Sequence, residues 1–235
     1  MSIQVIPAIL SKSFREIEEK ISLVKGLVDT VQVDICDGGF ADNKTWPYFK
    51  EPIAHDPLQT TKKDKDFQEL ITEKKGLPFW EDIDYEFDLM VRAPESIIGD
   101  YVRMGATRLL IHLESTKQME DIIAEWKNAV ELGIALKPST PLSELDSFMH
   151  EIRYVQCMGS DRISHAGVSL NPRVYERIRE LHTRYPDVAI SVDIGVNFET
   201  APLLIAAGAT HLVAGSAIFK SDSIPAAIKR FRDLL

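Results

Sequence analysis

Eight short apolar runs, several of them rich in β-branched residues, recur along the chain at intervals of roughly 25 residues, with helical patterns in most of the gaps. The runs lie at 3–10, 30–35, 86–91, 108–113, 134–137, 154–158, 188–192 and 211–214. Strands separated by helices cannot pair as hairpins, so the alternation demands a parallel sheet. A doubly wound open sheet would give the same alternation, usually with fewer strands. Eight units favour a closed (β/α)8 barrel of the TIM type, an α/β fold that typically occupies about 250 residues. The 235 residues therefore read as one barrel domain spanning 1–235.

Local signals support the pattern. Ser13-Phe14-Arg15-Glu16 is a capping box that opens the first helix. Pro94 suits the first turn of a helix that stops at Gly105, and Trp126 and Val130 continue another that stops at Gly133. Pro172 begins a further helix, which runs to Tyr185. One unit is too long. Between Asp34 and Asp88 a helix over 67–75 ends at Gly76 and leaves a long inserted loop around 39–66. That loop carries Trp46, Tyr48, Phe49, His55 and the run Lys62-Lys63-Asp64-Lys65-Asp66. It reads either as a lid or dimer arm, or as a surface loop with a solvated charge run.

Net charge is −9, which argues against nucleic acid and against an anionic membrane surface. The chain has no apolar run long enough to span a bilayer, and MSIQVIPAIL reads as a first strand rather than a signal peptide. Two cysteines, Cys36 and Cys157, lack metal-type spacing, and a reducing, cytoplasmic setting is expected.

The segment 191–219 carries the chemistry. Asp193 stands where a strand should stop, Gly195 follows it, and Gly215-Ser216 ends the next strand and opens a short helix. Backbone N–H groups at two strand ends and a helix start form an anion site. An acid beside such a site points to proton chemistry on a phosphorylated substrate.

Seven segments in register then resemble the ribulose-phosphate 3-epimerase family over nearly the whole chain: PAILS (7–11), VDICDG (33–38), DLMV (88–91), IHLES (111–115), LKPSTP (136–141), VDIGVN (192–197) and AGSAIF (214–219). The resemblance implies a (β/α)8 barrel, a small-molecule sugar-phosphate substrate and a homo-oligomer. It implies interconversion of ketose-phosphate epimers of the D-ribulose 5-phosphate and D-xylulose 5-phosphate type. Two aspartates would exchange the proton through an enediolate, with a divalent cation as Lewis acid. On the matching positions, Asp34 and Asp193 are the catalytic pair. Ser11, Met90, Met158, Gly195, Gly215 and Ser216 bind substrate.

Departures from the family pattern matter as much. Where the family has two metal-binding histidines, this chain has Gln32 and Asp88. The remaining set, Gln32, Asp34, Asp88 and Asp193, is all oxygen, which suits Mg²⁺ or Mn²⁺ better than Zn²⁺ or Fe²⁺. A site without any cation is the other expectation, with Asp88 hydrogen-bonding Gln32. The family's glycine-rich loop after the sixth strand is here GSDRISHAGVSLNP (159–172), with Arg162 and His165 as new polar groups that could touch phosphate or substrate. His112 reads as a hydrogen-bonded core histidine, and His55 and His165 as exposed. Two further readings stand beside the enzyme: a non-catalytic sugar-phosphate-binding barrel, and a Schiff-base aldolase using Lys137.

Overall fold

A computed structural model describes residues 3–49 and 64–234. Eight parallel strands close into a barrel in chain order: β1 (Gln4–Ile9), β2 (Thr30–Cys36), β3 (Asp84–Met90), β4 (Arg108–His112), β5 (Glu131–Leu136), β6 (Tyr154–Met158), β7 (Ala189–Asp193) and β8 (His211–Ala214). Helices α1 (Phe14–Val24), α2 (Lys65–Ile71), α3 (Ile98–Met104), α4 (Met119–Trp126), α5 (Arg173–Arg184), α6 (Ala201–Ala207), α7 (Ser216–Phe219) and α8 (Ile224–Arg232) surround it. Between β5 and β6 the described connection is a 3₁₀ turn, Leu142–Leu145, rather than an α-helix. No helix among the described residues is long and apolar enough to cross a membrane.

Half of the capping box forms; the Glu16 carboxylate accepts the Lys12 N–H at 3.3 Å instead of that of Ser13. Ser13 Oγ accepts the Glu16 N–H at 3.2 Å, and the buried stripe Phe14, Ile17, Ile21 and Val24 seats α1 on the barrel. Gly105 ends α3 in the left-handed conformation, as its position predicted, and Gly208 ends α6 in the same way.

Gly133 corrects the sequence reading. It does not stop a helix; α4 ends at Trp126, and Gly133 lies inside β5. A Cβ there would sit 2.6 Å from Leu110 Cδ2 and 2.9 Å from Tyr154 Cδ1. The glycine makes room for side chains that fill the barrel interior. The helix expected over 67–75 also shifts, running from Lys65 to Ile71 behind an Asp64 cap.

The apolar residues form two separate cores. The larger lies between strands and helices. The smaller lies inside the barrel and includes Cys36, Met90, Leu110, Tyr154, Met158 and Ile163. At the N-terminal end the interior is closed by an ion pair, Arg108 Nη1 to Glu86 Oε2 at 2.7 Å. The guanidinium lies 3.9 Å from the centroid of the Tyr154 ring, which meets the His211 ring edge-on.

The long loop after β2 is, in its described part, anchored to the barrel. Trp46 is buried between Phe14 and Phe67, and its indole N–H donates to Asp64 Oδ1 at 2.9 Å. Thr45 Oγ1 donates to the Asp34 carbonyl at 2.7 Å and accepts the Cys36 N–H at 2.8 Å. Of the loop's aromatic residues, Trp46 belongs to the core and Tyr48 packs against it. His55, Lys62 and Lys63 lie outside the described residues.

Candidate active site

The C-terminal ends of the strands surround a cavity of about 450 Å³, lined by Asp34, Met90, Asp193, Gly195, Gly215 and Ser216 together with residues 164–170 of the loop after β6. This is the end of such barrels where chemistry is built, because the βα loops converge there.

Alternation along the strands explains which side chains meet. Residues two apart on a strand share a face, so β2 turns Gln32 and Asp34 inward and β3 turns Glu86 and Asp88 inward. The register sets Asp34 beside Asp88. Asp193 ends β7 across the barrel. One carboxylate oxygen from each of Asp34, Asp88 and Asp193 lies within 4.8 Å of the others, and all three residues are buried.

Amides and one imidazole hold the cluster. Gln32 Nε2 donates to Asp34 Oδ1 at 2.8 Å. His112 Nε2 meets Asp88 Oδ1 at 2.9 Å, and Gln156 Nε2 donates to Asp88 Oδ2 at 3.1 Å. Ser191 Oγ donates to Gln156 Oε1 at 3.1 Å, which fixes the amide that reaches Asp88. The expected Gln32–Asp88 hydrogen bond is thus replaced: Gln32 serves Asp34, and Asp88 takes its partners from β4 and β6. His112 is the buried, hydrogen-bonded histidine that its place in the motif suggested.

Burial, and next the negative charge of Asp88, raise the Asp34 carboxyl to about 7, against the lowering effect of the Gln32 hydrogen bond. Burial and the neighbouring Asp34 charge hold Asp193 well above the ordinary carboxylate range. Asp193 Oδ1 accepts the Ile194 N–H at 2.7 Å. Ile194 takes φ +73°, an uncommon conformation for a β-branched residue and a mark of local strain.

At the other end of the cavity, Gly195 has φ +77°, and a Cβ there would lie 2.6 Å from Leu170 N. Only glycine lets the loop after β6 close against the end of β7. The Ile218 and Phe219 N–H groups bond to the Gly215 carbonyl, so the first N–H groups of α7 face outward from the turn beside Gly215.

Of the predicted residues, Asp34, Met90, Asp193, Gly195, Gly215 and Ser216 line the cavity. Gln32 and Asp88 lie beneath it. Ser11 and Met158 are buried outside its lining; the Ser11 carbonyl accepts the Trp46 N–H, and the Met158 sulfur accepts Gln156 Nε2. His165, expected on the surface, is half-buried and lines the cavity, whereas Arg162 is exposed and does not. Lys137, the residue a Schiff-base reaction would need, lies outside the lining, its ammonium over the Phe40 ring at 4.5 Å. Sequence reasoning missed Gln156 and Ser164. Gln156 was within reach, because it precedes Met158 by two on the same strand face; Ser164 belongs to a loop whose path no periodicity gives.

The family model for the ribulose-phosphate 3 epimerase family matches residues 69–219. Ribulose-phosphate 3-epimerase of Bacillus subtilis (strain 168) is 30% identical, with 98% of each chain covered. The enzyme of that name from Methanocaldococcus jannaschii is 29% identical, covering 98% of this chain and 90% of its own. Among solved structures, 3-hexulose-6-phosphate synthase from Salmonella typhimurium superposes with a TM-score of 0.68 at 14% identity, over 99% of this chain and 98% of that one. The 3-keto-L-gulonate-6-phosphate decarboxylase from Vibrio cholerae gives 0.65 at 14% identity, over 99% and 98%. At that identity the structural neighbours share the fold.

Proposed function

The chain belongs to the ribulose-phosphate 3-epimerase family, and from that premise we propose that it inverts the carbon beside the carbonyl of a ketose phosphate, with D-ribulose 5-phosphate and D-xylulose 5-phosphate as the epimeric pair. The observation that carries this is the placement of Asp34 and Asp193 on different strands of one cavity, with carboxylate oxygens no more than 4.8 Å apart. One carboxylate removes the proton from one face of the carbon and leaves an enediolate. The other delivers a proton to the opposite face.

The roles require one ionised and one protonated acid at the same pH. Three carboxyls crowded in a buried space cannot all ionise together, so the cluster retains a proton near neutrality. The raised positions of Asp34 and Asp193 are that requirement expressed as chemistry. Gln32 keeps Asp34, and the Gln156–Ser191 pair keeps Asp88, from rotating away. The phosphate would sit on the backbone around Gly195, Gly215 and Ser216, with Met90 lining the substrate pocket.

The donor set fits a divalent cation. Asp34, Asp88 and Asp193 supply buried oxygens, and Gln32 Oε1 is buried without a partner among the described residues. These four residues would hold it, and hard oxygen ligands favour Mg²⁺ or Mn²⁺ over Zn²⁺ or Fe²⁺. When bound, a cation would supply Lewis-acid stabilisation of negative oxygen.

A cytoplasmic role in pentose-phosphate metabolism is part of the proposal, supported by the buried free thiols of Cys36 and Cys157. The net charge of −9 supports a small-molecule partner over nucleic acid or membrane. A homo-oligomer is carried over from the family resemblance alone. Deuterium uptake at carbon 3 in heavy water tests the reaction. Uptake by the wild type is expected. Absence of uptake from ketose phosphates, with or without Mg²⁺ or Mn²⁺, leaves the non-catalytic binder as the better account.

A further inference from the structure

The loop after β6 crosses the cavity with two different ends. Its Leu170 end packs on Gly195, where the phosphate site was placed. Its other end is tied to the loop after β2: Asn43 Nδ2 donates to the Ser164 carbonyl at 2.9 Å, and Ile163 is buried in the inner core with Cys36, Ala41 and Met90. Residues 164 and 165 therefore stand over the half of the cavity away from the phosphate site.

Two polar groups there have spare capacity. Ser164 lines the cavity with 4% of its surface exposed, and its Oγ is buried with no partner among the described residues. A buried hydroxyl left unpaired is costly, so such a group is normally satisfied by something. Ser164 also takes φ +67°, a conformation disfavoured for serine, while the Asn43 bond and buried Ile163 hold it there. His165 lines the same cavity, and its Nδ1 meets the Ile163 carbonyl at 2.9 Å. A carbonyl only accepts, so Nδ1 carries a proton, with Asp42 Oδ1 also 3.6 Å from it, and in that tautomer Nε2 is left as an acceptor.

We infer that Ser164 and His165 recognise the hydroxymethyl end of the ketose, the terminus opposite the phosphate, as a specificity-determining pair. A hydroxyl both donates and accepts. Ser164 Oγ–H supplies the donor and His165 Nε2 the acceptor, so the pair fits a terminal –CH₂OH and leaves an unpaired hydroxyl when that group is –CH₃. This rests on the ketose-phosphate reading above.

The test compares D-xylulose 5-phosphate with its 1-deoxy analogue, by kcat/KM for deuterium uptake at carbon 3. Wild type should prefer the hydroxylated substrate by on the order of 10- to 100-fold, the effect of leaving a buried polar group unpaired. Ser164→Ala, Ser164→Gly and His165→Phe should each shrink that ratio toward one, mainly through the hydroxylated substrate, while binding of inorganic phosphate and thermal unfolding stay near wild type. Ser164→Gly is included because glycine tolerates positive φ, so a strained alanine cannot mimic the result. A wild type that handles both substrates alike, or variants at either position that keep the wild-type ratio, would overturn the inference and leave the epimerase reading standing. A wild type that labels neither substrate overturns the epimerase reading, and this inference with it.

Discussion

Both ends of the barrel interior bury carboxyl groups, and the two ends neutralise them differently. At the N-terminal end Glu86 faces Arg108 at 2.7 Å, and Glu131 meets the same guanidinium at 2.8 Å. At the C-terminal end Asp34, Asp88 and Asp193 face one another, with amides and a single imidazole for company. Burial raises Glu86 to about 7, against the pull of Arg108. It raises Asp34 to about 7 as well, but there the nearest charge, Asp88, pushes in the same direction. The lower end is built to hold the chain together. The upper end keeps repulsion in place, an arrangement useful to a site that must exchange protons or bind a cation.

The largest difference between the ends should appear in rate. Asp193→Asn or Asp34→Asn should lower epimerisation by about 10² to 10⁴, measured as deuterium uptake, while sugar-phosphate binding persists by calorimetry. The same Asp34→Asn change should not weaken the fold above neutral pH. Asp34 is raised in the folded state, so the stability it contributes is present below its unfolded pKa near 4 and is lost as pH rises through about 7. Removing the ionisable group removes that loss, so the variant should gain on wild type in urea unfolding between those limits. A variant that loses stability steadily as pH rises would contradict this account of the cluster.

Removing a charge at the lower end should do the reverse. Arg108→Met leaves Glu86 buried without its cation and should destabilise by about 3–5 kcal/mol in urea unfolding. Adding Glu86→Leu to it should recover much of that. Equal loss in the single and double variants would mean that the pair contributes packing rather than charge balance.

His211 offers a smaller effect with a defined sign. Burial, then the nearby Arg108 charge, lowers it to about 4. The unfolded chain takes up a proton near 6.5 and the folded one resists until about 4, so stability falls as pH drops through that window, by at most about 3 kcal/mol. His211→Gln should flatten this part of the profile relative to wild type; an unchanged slope would reject the assignment. The mildest effect concerns cations. Saturating Mg²⁺ or Mn²⁺ should raise the melting temperature and move the acidic limb of the pH–rate profile downward, and Asp88→Asn should abolish both shifts. Tightly retained stoichiometric zinc after chelator dialysis would reject the oxygen-ligand preference.

Much of this was legible from residue order. The strand runs at 154–158 and 211–214 match β6 and β8 residue for residue, because short apolar runs bounded by turn residues leave little freedom. Asp34 and Asp193 were legible because a charged residue at the end of an apolar strand has few structural excuses. Gly133 misled because a glycine that ends a helix and one that makes room inside a barrel look alike in one dimension. The Glu86–Arg108 pair was hidden because only the β3–β4 register sets those residues side by side. The burial of Trp46 was not legible, because its partners, Phe14 and Phe67, come from elements on either side of it in the chain.

The anchoring of Trp46 has an optical consequence. Its ring is buried among aromatics, and its neighbour Thr45 bonds directly to the Asp34 carbonyl. Trp80 is 66% exposed and Trp126 half-buried, so the three indoles differ in surroundings. With Trp80 and Trp126 replaced by phenylalanine, the remaining emission should be blue-shifted and shielded from aqueous quenchers. That signal would follow displacement of the strand end bearing Asp34, giving the protein an intrinsic fluorophore that reports ligand arrival without a label.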